Sequence, residues 1–177
     1  MELRNILSGS DDIEVLERIN EEAIPDQERN SIKDMLMTGA ELIGIYIDDE
    51  PSGFILFRKY RNICYLAYLA VKRELRSKGI GSAALRDFLL KSRDMQVVVE
   101  FEASDDTADD KDIRKRRRDF YLRNGFHETG WYTYYDDTEF EIACSDELFD
   151  FQCFERFTEH LSAIVSDHIP KPYRKDI

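Results

Sequence analysis

Arg76-Ser77-Lys78-Gly79-Ile80-Gly81-Ser82 lies between a strand-like run, Tyr65 to Val71, and a helix-like run, Ile80 to Lys91. A glycine-rich turn at such a junction leaves the first N–H groups of the helix without partners inside it, at the positive end of its dipole. That arrangement binds phosphate. Gly79 and Gly81 have no Cβ to hold a diphosphate away from the backbone. Arg76 and Lys78 add positive charge to a chain whose formal net charge is −12. The stretch predicts a strand, a phosphate-binding turn and a helix, and with them a phosphate-bearing cofactor.

Several glycine-loop chemistries compete for it. A Walker-type loop needs Lys-Ser/Thr directly after its second glycine, whereas Lys78 precedes both glycines. Gly79-Ile80-Gly81-Ser82-Ala83-Ala84 fits the dinucleotide pattern G-x-G-x-x-A, with Glu100 about 20 residues further on, where ribose is bound. In that fold the strand runs almost directly into the first glycine, but here Lys72 to Lys78 intervene. An ordinary turn with a glycine-rich helix start is the bland alternative.

A third chemistry accounts for more of the chain. Arg76-x-x-Gly79-x-Gly81, following Leu69-Ala70-Val71, resembles the acetyl-CoA-binding motif of the GNAT N-acetyltransferase superfamily. Phe120-Tyr121-Leu122-Arg123-Asn124-Gly125-Phe126 resembles that superfamily's F-Y-x-x-x-G-F segment. The resemblance covers Cys64 to about Tyr135. It implies an α/β fold whose mixed, mostly antiparallel central sheet has a parallel strand pair at the cofactor site and helices on its flanks. It also implies acetyl-CoA as acetyl donor and a primary amine of a small molecule or peptide as acceptor. The donor would be held by the backbone of a bulge at Leu69, Ala70 and Val71 and by the turn Arg76, Ser77, Lys78, Gly79, Ile80, Gly81 and Ser82.

Acetyl transfer from a thioester to an amine needs a held carbonyl, an unprotonated amine, a stabilised oxyanion and a protonated leaving thiolate. Tyr121 aligns with the tyrosine that protonates the departing thiolate in many family members. A phenol of pKa near 10 is chemically adequate for that; a core tyrosine packed among Phe120 and Phe126 is the competing reading. Glu100 and Glu102 interrupt the apolar run Val97, Val98, Val99 and Phe101. Strand alternation puts both carboxylates on one face, about 7 Å apart. Burial and like charge would each raise their pKa values, as suits a group that removes a proton from an ammonium. Glu100-Phe101-Glu102-Ala103-Ser104 resembles the E-V-x-A-S stretch of ribosomal-protein N-terminal acetyltransferases, whose first Glu is the base. Glu100 is therefore the expected base and Glu102 an anchor for the substrate ammonium. Two solvated carboxylates near a strand end are the alternative.

Asp105 departs from the resemblance, since many members carry there an asparagine that contacts pantetheine. The loop Asp105 to Asp112 is also long, and reads either as a solvated loop or as an acidic rim that attracts cationic substrates. Arg114-Lys115-Arg116-Arg117-Arg118 reads as a helix with solvated basic positions, some of which approach the coenzyme phosphate or pair with the acidic loop. Trp131, Tyr132, Tyr134 and Tyr135 are mainly sheet packing, with one of them available to line an acceptor pocket.

The 177 residues suit one domain, 1–177, with a cofactor core at about 64–135 and a C-terminal helix at about 147–165. Charged residues are 35% of the chain, and its net negative charge disfavours nucleic acid and anionic membranes. No run approaches the roughly 20 apolar residues of a membrane span, and Met1-Glu2-Leu3-Arg4 opens no signal peptide. Cys64, Cys144 and Cys153 are odd in number and scattered, and read as reduced thiols of a cytoplasmic protein. His127, His160 and His168 lack metal-ligand spacing. Strands are expected at Leu3–Leu7, Leu42–Ile47, Phe54–Arg58, Cys64–Val71, from Val97, at Gly130–Tyr135 and at Glu139–Cys144. Helices are expected from about Ser10, over Asp26–Met37, over Ile80–Lys91 and from about Ile113 to Arg123. No cysteine sits beside an activating histidine, so direct attack in a ternary complex is expected over a ping-pong route. A noncatalytic acyl-CoA-binding regulatory module is the main rival, and a pair of copies is compatible with the chain.

Overall fold

Asp48 and Asp49 both take left-handed backbone, at φ 51° and 64°. Two successive left-handed residues are what a tight two-residue hairpin turn requires, and aspartate tolerates that region better than most side chains. In the computed structural model, which describes residues 1–26, 29–105, 108–135, 137–165 and 169–175, this turn joins β2 (Glu41–Ile47) to β3 (Glu50–Tyr60). The expected turn, Asp48 to Gly53, thus contracts to two residues, and Pro51, Ser52 and Gly53 enter the strand. Tyr46 lies opposite Pro51 and Ile45 opposite Gly53, so Ser52 is an extra residue and the pair is bulged.

The remaining strands are β1 (Glu2–Ile6), β4 (Ile63–Val71), β5 (Gln96–Glu102), β6 (His127–Tyr135), β7 (Thr138–Cys144) and the short β8 (Tyr173–Arg174). They run in the order β1-β2-β3-β4-β5-β7-β6-β8. The sheet is mixed and mostly antiparallel, with β4 and β5 parallel through Ile63↔Gln96, Cys64↔Val97 and Tyr65↔Val98. Val97, Val98 and Val99 are all buried, as the unbroken apolar run predicts for a strand covered on both faces. The helices are α1 (Asp12–Ala23), α2 (Ile32–Met37), α3 (Ile80–Lys91), α4 (Lys111–Arg123) and α5 (Phe151–Val165).

Two helices are shorter than their sequence pattern suggests. The second was expected from Asp26, but α2 begins at Ile32, where the Ser31 hydroxyl accepts the Asp34 N–H and caps the first turn. The C-terminal helix was expected from Glu147, but it starts at Phe151, where the Asp150 carboxylate accepts the Cys153 N–H at 3.0 Å. Leu148, inside the expected helix range, lies outside the helix and is 87% exposed. Its carbonyl instead accepts a 2.6 Å hydrogen bond from the Gln96 side-chain amide.

Contacts divide the chain into two compact units, Met1–Lys59 with Leu66–Lys91, and Tyr60–Tyr65 with Ser92–Ile177. In the first, Ile13, Leu16 and Ile19 of α1 and Ile32 of α2 pack on Leu42, Phe54, Leu56 and Ala70. Arg58 is buried there, and its guanidinium donates to the carbonyls of Met35 and Thr38, the α2 end where a cation is favoured. Phe88 of α3 sets its ring against Phe57, with centroids 5.0 Å apart. In the second unit, Phe154 and Phe157 of α5 pack with Ile63, Val98, Ile142 and Cys144.

Gly53 controls the end of β4. A Cβ there would meet the Ala70 carbonyl oxygen at 2.4 Å and the Val71 Cα at 3.1 Å. Both neighbours are backbone and cannot rotate away, so the strands approach this closely only because position 53 is glycine. Next to it, the Lys72 N–H donates to the Ser52 carbonyl at 2.9 Å. Gly53→Ala should therefore lower the unfolding free energy by about 1–3 kcal/mol, the range for overpacked sites; denaturant titration of the two proteins checks it.

Candidate functional site

In the first unit, the strand end Leu69, Ala70 and Val71 leads through a 3-10 turn (Arg73–Leu75) into the glycine loop. The Arg76 Nε donates to the Val71 carbonyl at 3.0 Å, so the guanidinium folds back on its own strand and closes the loop. Ser77 and Gly79 are both left-handed, at φ 60° and 80°. Alternation of left- and right-handed residues turns successive N–H groups toward one concavity, which accepts anions. Arg76 to Gly79 are exposed, and a Cβ on Gly79 would meet nothing within 4 Å. The first intrahelical bond of α3 runs from the Ala83 N–H to the Gly79 carbonyl at 3.0 Å. The Ile80 and Gly81 amides precede it, at the positive helix end. This open concavity fits a diphosphate.

In the second unit, the segment Phe120 to Phe126 is a helix end of defined type. Asn124 caps α4, and Gly125 follows at φ 92°. The Phe126 N–H donates to the Tyr121 carbonyl at 3.2 Å and the Gly125 N–H to the Leu122 carbonyl at 3.2 Å. These two bonds make a Schellman cap, which brings the residue after the glycine against the helix residue five positions earlier. Accordingly Phe126 sets its ring edge on Tyr121 at 5.4 Å, while Phe101 stacks on Tyr121 at 5.7 Å and Phe120 meets it edge-on at 5.2 Å. Tyr121 is 8% exposed, and burial pushes its phenol up to about 12. The proton stays on at any physiological pH.

The two glutamates of β5 have different partners. The Tyr65 hydroxyl donates to Glu100 Oε2 at 2.8 Å, and the Thr133 hydroxyl donates to Oε1. The Tyr135 hydroxyl is a further donor to the same carboxylate. Burial raises the Glu100 pKa, and the three hydroxyls oppose that rise. The neighbouring negative charge of Glu102, expected to add to it, is not among the causes. Glu102 is 4% exposed, and its carboxylate is in a salt bridge with Arg117 of α4. Its charge is thus already compensated within the chain. The hydroxyls of Tyr65 and Thr133 were missed by the sequence reading. Alternation shows which face a residue occupies but not which hydroxyl lies across it.

The basic run on α4 is largely paired. Arg114 binds Asp110 of the acidic loop at 2.7 Å. Arg118 binds both Glu128 and Glu141. Burial and the adjacent Glu128 raise the Glu141 carboxyl to about 7. A cavity of about 500 Å³ opens just past β5, lined by Ala103, Ser104, Asp105, Arg114, Tyr134, Asp137, Thr138 and Glu139. Tyr134 is thus the aromatic that lines a pocket, and Asp105 its contribution from the acidic loop. Asp106 and Thr107 of that loop, Asp136 of the β6–β7 turn and His168 lie outside the described residues. Glu139 accepts hydrogen bonds from the Tyr173 hydroxyl at 2.5 Å and from Lys175 at 2.6 Å. Cys64, Cys144 and Cys153 are buried and form no disulfide, and burial pushes the Cys144 thiol up to about 11. Among the described residues no His, Cys, Asp and Glu cluster could hold a metal ion, and no helix is long and apolar enough to cross a membrane.

Residues 38–128 match the family model described as the acetyltransferase (GNAT) domain. Among solved structures, a GNAT-family protein from Bacteroides thetaiotaomicron is 22% identical with a TM-score of 0.75, covering 96% of this chain and 100% of its own. A GNAT-family acetyltransferase from Elizabethkingia anophelis with acetyl-CoA bound is 16% identical, TM-score 0.63, over 82% of this chain and 97% of its own. An acetyltransferase from Bacillus subtilis in complex with CoA is 16% identical, TM-score 0.62, over 83% and 99%. No curated protein matches the sequence.

The buried carboxylate gives a stability signature. A carboxyl that ionises at higher pH in the fold contributes stability that is whole below its unfolded value and is lost as pH rises through its folded value. The Glu100 value is raised from 4.5. Glu100→Gln should therefore lose less stability than the parent between about pH 5 and about pH 8, as urea unfolding at the two pH values would measure.

Proposed function

Because the chain belongs to the GNAT acetyltransferase family, we propose that it moves an acetyl group from acetyl-CoA to a primary amine of a small molecule or peptide. The observation that carries this is the open, left-handed turn at Ser77 and Gly79, set at the start of α3. Acetyl-CoA, when bound, supplies an activated thioester. The amides of Ser77 to Ser82 and the positive helix end hold its diphosphate, with charge from Arg76 and Lys78. The backbone of Leu69, Ala70 and Val71 holds the pantetheine arm and polarises the carbonyl. The acetyl-CoA and CoA bound to the Elizabethkingia and Bacillus proteins support this assignment of the donor.

Glu100 removes the proton from the acceptor ammonium, directly or through water. Its raised pKa suits a base that must release that proton again. Tyr121, protonated at neutral pH, is the proton donor to the departing thiolate, and burial makes it a weaker acid than a free phenol. Glu102, held by Arg117, shapes the strand end beside the base. The amine attacks the thioester directly. The three thiols are buried, and Cys144 is a weak nucleophile with its proton held on. Asp105, Asp137 and Glu139 around the cavity favour a cationic acceptor. Thiols that form no disulfide also support a cytoplasmic location.

Calorimetry with acetyl-CoA, CoA and NADH, followed by thiol release across an amine panel, tests the reading. Acetyl-CoA and CoA should bind, NADH should not, and at least one amine should release thiol. Tight CoA binding without thiol release from any amine would favour a noncatalytic acyl-CoA-binding module. Gly79→Val should abolish coenzyme binding by filling the concavity. Tyr121→Phe should lower kcat by about 10²-fold or more while leaving coenzyme affinity unchanged.

A further inference from the structure

Glu100 sits on β5, yet its carboxylate is gripped from two other strands, the adjacent β4 and, beyond β7, β6. Tyr65 of β4 donates to one oxygen at 2.8 Å and Thr133 of β6 to the other. The grip is itself fixed. The Tyr65 ring packs against Phe157 and Phe154 of α5, with centroids 5.3 Å and 6.4 Å away. Thr133 is fully buried. A carboxylate with a donor on each oxygen, and Tyr135 as a third, has its plane and rotamer set.

We propose that Tyr65 and Thr133 are positioning residues for Glu100: their hydroxyls aim the carboxylate and keep it ionised in a buried place. This deepens the assignment of Glu100 as base and rests on it. The groups that face Glu100 are few. From β4 there is Tyr65; from β6 there are Thr133 and Tyr135; from β7 the paired residue is Ile142, which is apolar. From α5 the nearest rings, Phe154 and Phe157, carry no charge. Among the described residues no cation is in contact with the carboxylate, so hydroxyl donors are what offset its desolvation. Hydroxyl donors carry no charge, whereas Glu102 two residues on is in an ion pair with Arg117.

The test compares the parent protein with Tyr65→Phe, Thr133→Val and Thr133→Ser. Two readings are taken: the pH dependence of kcat with the best amine of the panel, and the pH titration of the Glu100 carboxyl carbon by NMR. Loss of either donor should move both the carboxyl titration and the acid limb of kcat to higher pH. At the foot of that limb the rate should fall about tenfold, the worth of one hydrogen bond to an ionised group, with the alkaline plateau retained. Thr133→Ser should restore the parent behaviour, which a merely structural role for the methyl group would not do. An unmoved carboxyl titration in folded Tyr65→Phe and Thr133→Val would overturn the proposal. A moved titration with an unmoved limb would leave the grip standing and remove Glu100 as the base.

Discussion

The first unit rests on a side chain that is absent. The backbone of Gly53 lies so near Ala70 and Val71 that no Cβ fits between them. That approach fixes where β4 ends. The Val71 carbonyl is then available to hold Arg76, and Arg76 closes the loop from which α3 departs. Left-handed backbone at Ser77 and Gly79 turns the chain within that span. The open concavity at the start of α3 is thus made by backbone geometry.

The second unit solves an electrostatic problem in two ways within three residues. Glu102 is in an ion pair with Arg117. Glu100 receives neutral hydroxyl donors. Proximity in sequence and a shared strand do not imply shared partners.

Much of this was legible in the sequence. The bounds of α3 and the buried strand at Val97 follow from glycine placement and apolar runs, which act locally. The parallel neighbour of β5 was legible for the same reason. The start of α2 was not, because a capping serine inside a polar stretch competes with equally good helix formers before it. Leu148 was misplaced because helical spacing continues past the point where Asp150 caps α5. Tyr65 and Thr133 were illegible in principle, being 35 and 33 residues from Glu100 along the chain. Such contacts depend on strand order, which periodicity does not encode.

The segment from Phe120 to Phe126 carries a lesson about interpreting mutants. Its glycine ends a helix in left-handed backbone, and its last phenylalanine closes over Tyr121. Most residues with a Cβ at position 125 would strain the reversal, where φ is left-handed, and so shift that tyrosine's ring. A loss seen on changing Gly125 would then report the geometry of a chain reversal, transmitted through one aromatic contact.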